Sequence, residues 1–71
     1  MKKGYWAHEA FKDVFVEVLK VRHQGPDYMK VKVSWWNKGQ CGVPYPHGIT
    51  QTVKIKSKDL KRWHNVNELM R

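Results

Sequence analysis

Apolar and polar residues alternate along two stretches of the chain. Over 28–36, Met29, Val31, Val33 and Trp35 share one parity, and Tyr28, Lys30, Lys32, Ser34 and Trp36 share the other. Over 51–56, Val53 and Ile55 alternate with Thr52, Lys54 and Lys56. A period of 2 sends neighbouring side chains to opposite faces of a pleated strand, so each stretch predicts a strand with one core face and one cationic face. Two further strands are expected nearer the N-terminus. A short one covers 5–9, and a long one covers 13–21, rich in β-branched and aromatic residues. In the long one Val14, Val16 and Val18 form one stripe while Phe15, Leu19 and Val21 form the other. Such a double pattern predicts a strongly bent strand, with a bulge that shifts the apolar set between faces.

Gly25, Pro26 and Asp27 preset turn dihedrals, so 23–27 should reverse the chain and make a hairpin of its flanking strands. Glycine and proline recur from Gly39 to Gly48, and 37–48 reads as one long loop ahead of a strand over 49–56. Ser57 and Asp59 favour a short helical turn near 57–60, after which Leu60 and Trp63 should return to the core on a short last strand. The expectation is an all-β domain of five short antiparallel strands spanning 1–71. Its core should run over about 3–63, with 65–71 as a peripheral tail holding at most a frayed turn capped by Asn65.

Composition narrows the function. Lysine and arginine number 14 against 6 aspartates and glutamates, a formal net charge of +8 in 71 residues. That balance fits a polyanionic partner, nucleic acid above all. So small a chain buries only about 60% of its unfolded surface, which leaves little room for a deep catalytic cleft. Paired carboxylates, a phosphate-cradling glycine loop and a nucleophile motif do not occur, and no enzyme activity is expected. Cys41 stands alone, and its spacing to His47 is wider than that of structural zinc pairs, with His8, His23 and His64 more distant still. Neither a metal nor another cofactor is expected. Lysines interrupt every apolar segment, so no membrane span is expected, and the lack of an apolar leader points to the cytoplasm.

The ending Ile55-Lys56-Ser57-Lys58-Asp59-Leu60-Lys61-Arg62-Trp63 reads as strand, tight turn, final strand. With the four strands before it, the chain resembles SH3-like barrels, and within them the Tudor, chromo-barrel and KOW-type branch, whose members often close on an aliphatic-x-x-x-Asp-Leu pattern. In size and charge it is also similar to small basic proteins of bacteriophage genomes. The barrel resemblance implies binding rather than catalysis, and by itself it does not choose the ligand.

The residues make that choice more concrete. Lys30, Lys32, Lys54 and Lys56 should crowd onto one face, where like charges on neighbouring strands destabilise each other until an anion relieves them. Lys58, Lys61 and Arg62 extend the basic density. Tyr28 and Trp36 share the lysine parity, and Trp36 is the aromatic expected to stack on a base or to cap the barrel end. Tyr45, held between Pro44 and Pro46, is either presented to a ligand or folded back as a lid. The partner expected is nucleic acid, duplex DNA before RNA, because lysine-rich faces make point-charge contacts to phosphate rather than the bidentate base contacts of arginine. The alternative is an adaptor that docks an acidic protein through exposed aromatics and the 37–48 loop. A dimer is compatible with either.

Overall fold

The computed structural model describes residues 1–70. Five antiparallel strands form one sheet: β1 (Gly4–His8), β2 (Val14–Gln24), β3 (Tyr28–Asn37), β4 (Tyr45–Lys56) and β5 (Trp63–Asn65). Their order across the sheet is β4-β3-β2-β1-β5, so the first four strands form a meander and the last returns to pair with β1. The all-β class and the five antiparallel strands are as the hydrophobic pattern predicts.

β2 shows how the double apolar pattern is resolved. Val16 and Val18 face the core, but the register with β3 shifts between Val18 and Lys20, and again between Val21 and His23. Leu19 and Arg22 are the extra residues. Each bulge changes which parity points inward, so Val21 pairs with Val31 on the core side while Lys20 pairs with Lys32 on the outer side. The bends wrap the sheet round a core of Val16, Val18, Met29, Val31, Val33, Ile55 and Trp63. Trp6, Val21, Trp35, Val53 and Leu60 pack on it from partly buried positions.

Several boundaries differ from expectation, the first being that β2 runs on to Gln24, into the expected 23–27 turn. β4 begins at Tyr45, so the irregular segment shrinks to 38–44. Pro46 is tolerated because β4 is an edge strand, and Gly48, at φ +87°, sits in a bulge between the pairs Ser34–Thr50 and Trp36–Pro46. Inside the shortened loop a Cβ on Gly39 would collide with the Val43 carbonyl, and its φ of +78° also requires glycine. The turn after β4 is a 3-10 helix over Ser57–Arg62, which places Leu60 in the turn rather than on a strand. The tail is not peripheral. The Val66 N–H donates to the Tyr5 carbonyl at 2.8 Å, and the Tyr5 N–H donates to Asn67 Oδ1 at 2.8 Å, tying a second 3-10 turn (Asn67–Met70) to β1. Asn65 caps that turn as expected, its Oδ1 accepting the Asn67 N–H at 3.2 Å. Arg71, the last residue of the expected tail, lies outside the described residues.

β1, β5 and the first 3-10 turn are clamped together by polar groups. His8 is buried, its Nδ1 accepts the Ala10 N–H at 3.0 Å, and its Nε2 lies 3.2 Å from both carboxylate oxygens of Asp59. Because Nδ1 is an acceptor, the proton resides on Nε2, which donates to Asp59. Arg62 Nε donates to Glu9 Oε1 at 2.7 Å and completes the cluster.

Candidate nucleic-acid interface

The outer face of β2, β3 and β4 gathers the lysines. Lys30 stands directly opposite Lys54, Lys32 opposite both Lys20 and Thr52, and Tyr28 opposite Lys56. Directly opposed residues on adjacent antiparallel strands bring their Cβ atoms to about 5 Å, a separation at which like charges repel. The ion pairs among the described residues join Arg62 to Glu9 and Asp59, His8 adds a hydrogen bond to Asp59, and none includes a lysine. The face therefore carries uncompensated positive charge. Part of it rests on Tyr28, whose ring centroid is 4.4 Å from Lys54 Nζ and 6.0 Å from Lys30 Nζ. His23 stacks on the same ring at 5.0 Å, so Tyr28 anchors the patch as a cation-π floor.

Lys20 and His23 belong to this face, and alternation along the chain does not place Lys20 there. Lys20 has the parity of Val14, Val16 and Val18, which would place it inward. The Leu19 bulge turns it out.

A second basic region adjoins the first. A groove of about 550 Å³ is lined by Lys54, Lys56, Lys58, Asp59, Lys61 and Arg62. Arg62 is committed to Glu9, with Asp59 a further 3.7 Å contact. Hydrogen bonding from Arg62 holds the Glu9 carboxyl below its ordinary range, and hydrogen bonding from His8 does the same for Asp59. Both acids are thus occupied within the clamp.

The aromatic candidates separate. Trp36 is half-buried rather than exposed: it stacks on Phe15 at 6.2 Å and meets the edge of Tyr5 at 5.9 Å, with its Nε1 buried and unpartnered. These three rings make a small second cluster on the outer face, beyond Ser34 from the lysines. Burial, with Glu17 next to it, pushes the Tyr5 hydroxyl above its usual pKa. Tyr45 is exposed at the start of β4, and its partner Asn37 lies nine residues along β3 from Tyr28, the partner of Lys56, roughly 30 Å at strand rise. It lines a separate pocket with Asp13, Asn37 and Lys38, so the structure does not bring it to the lysine face. Phe11, Val43 and Ile49 are exposed as well, and Ile49 flanks a groove of about 280 Å³ with Val14, Trp35, His47 and Gln51. Cys41 is exposed in the loop.

Comparison with protein-family models, with curated proteins and with solved structures returns no match.

Proposed function

We infer that this chain is a small binding protein that grips the phosphate backbone of nucleic acid with the outer face of β2–β4, duplex DNA before RNA, and with little sequence preference. One observation carries the reading: the direct opposition of Lys30 and Lys54, flanked by Lys20, Lys32 and Lys56, with no carboxylate among the described residues paired to any of them. Lysines that repel one another across a ladder are relieved when phosphate replaces the water and counterions around them. Tyr28 belongs to the interface as the ring that holds Lys54 and Lys30 in place. Lys58 and Lys61 extend the contact along the adjoining groove, whereas Arg62 acts through the clamp that positions it. An SH3-like barrel is the fold assignment we favour, supported by the 3-10 turn ahead of β5 and by the β1–β5 pairing.

The test is a titration of mixed-sequence duplex DNA at several salt concentrations. If Lys20, Lys30, Lys32, Lys54 and Lys56 each neutralise a phosphate, log affinity falls against log salt with a slope of about −4.5. A slope near zero removes the reading. The adaptor alternative draws on exposed Phe11, Val43, Tyr45 and Ile49, and is distinguished by retention of a protein partner after nuclease treatment.

A further inference from the structure

β4 closes one side of the sheet, and among the described residues no strand pairs with its outer edge. From Lys56 to Thr50 its pairing with β3 runs through seven consecutive residues without a register shift. The edge is therefore straight enough to template another strand, and it ends only at the bulge over 47–49 that precedes Thr50. Along it, Thr50, Thr52, Lys54 and Lys56 point to the outer face, and Gln51, Val53 and Ile55 to the core side. Val53 remains only partly covered.

We propose that this edge accepts an extended acidic peptide by strand addition, with acidic side chains at alternate positions opposite Lys54 and Lys56 and apolar ones beside Val53. A polypeptide offers what the edge lacks, an alternating row of backbone donors and acceptors. A duplex offers phosphates but no such row. The lysines select the occupant: edge lysines discourage pairing with neutral or basic strands, yet they attract carboxylates two residues apart. A second copy of this chain would bring another net +8 to the same edge. Lys58 and Lys61, in the groove beyond Lys56, continue the positive potential and hold acidic residues that precede the added strand. This inference concerns the free edge of β4 rather than the 38–44 loop, and it stands independently of the nucleic-acid reading. If both hold, peptide and duplex compete for Lys54 and Lys56.

The experiment uses the full chain, isotope-labelled, without nucleic acid. It is titrated with a short synthetic peptide in which glutamate alternates with valine or threonine, and with a peptide of the same composition whose glutamates form one block. The alternating peptide should slow hydrogen exchange at 50–56 and bind about tenfold more tightly than the block peptide, a preference that Lys54→Ser with Lys56→Ser abolishes while the rest of the amide spectrum is unchanged. Equal affinity for the two peptides overturns the proposal, as does a response centred away from 50–56. Protection of the same amides by self-association in the absence of peptide also overturns it, in favour of a second copy.

Discussion

The His8–Asp59 contact joins a buried imidazole to a carboxylate on a different element, and its energetics depend on which of them is charged. Asp59 is held below its ordinary carboxylate range chiefly by the His8 hydrogen bond, and Glu9 chiefly by that of Arg62. A carboxyl whose pKa is depressed by folding stabilises the fold above the unfolded value and loses that contribution as pH falls through the folded one. The thermal midpoint should therefore be flat near neutrality and fall below about pH 4, the usual carboxylate range. Asp59→Asn should lower the midpoint at neutral pH and make its acid dependence shallower, which melting curves at several pH values will read. Unchanged pH dependence in that variant would remove Asp59 from the clamp. The aspartate was legible as a turn former. Its partner was not, because His8 and Asp59 meet only when β1 and the 3-10 turn pack together.

At the scale of the element, β2 decides the most. Two bulges let one strand serve the core with Val16, Val18 and Val21 and serve the charged face with Lys20 and His23. The clash of two apolar stripes was visible in the sequence, and a bulge was the physical way to satisfy both. Which residue is extruded was not visible, since that depends on the register of β3. Deleting Leu19 should leave Val18, Lys20 and Val21 alternating opposite Val33, Lys32 and Val31, so the deletion variant should fold. One alanine inserted between Lys32 and Val33 instead gives Leu19 a partner, turns Lys20 and Lys32 inward and Val21 and Val31 outward, and should fail to fold cooperatively. Urea unfolding followed by circular dichroism separates the two. Similar folding of both would show that the bulge does not set the register. β4 teaches the converse. Its glycines and prolines read as loop, yet an edge strand tolerates a proline and a bulge that an interior strand would not, so the strand extends back to Tyr45.

Across the whole molecule, stability and binding are set against each other on one face. Lys54→Glu should convert a like-charge opposition with Lys30 into an attraction, worth roughly 0.2–1 kcal/mol for such a cross-strand pair. The same change should weaken duplex DNA binding at low salt. A variant that becomes more stable while binding less tightly is the expected outcome, checked by denaturant midpoints alongside DNA titration. Loss of stability with unchanged binding would contradict the assignment of the face. The molecule measures 39 × 21 × 19 Å, and its long axis is about the length of twelve strand residues at roughly 3.3 Å each. Lysines and Tyr45 consequently lie at opposite ends of one strand, although neither end is marked as such in the sequence.

Local alternation was enough to determine that Lys30, Lys32, Lys54 and Lys56 turn away from the core, because pleating fixes the direction of each side chain relative to its neighbours along a strand. Pairing across strands lay beyond that rule. Only the folded sheet decided that Lys30 confronts Lys54, that an extruded Leu19 brings Lys20 to join them, and that Phe15 and Tyr5 shelter Trp36. Each of these depends on register between segments far apart in the chain, which is settled when the shared core is filled.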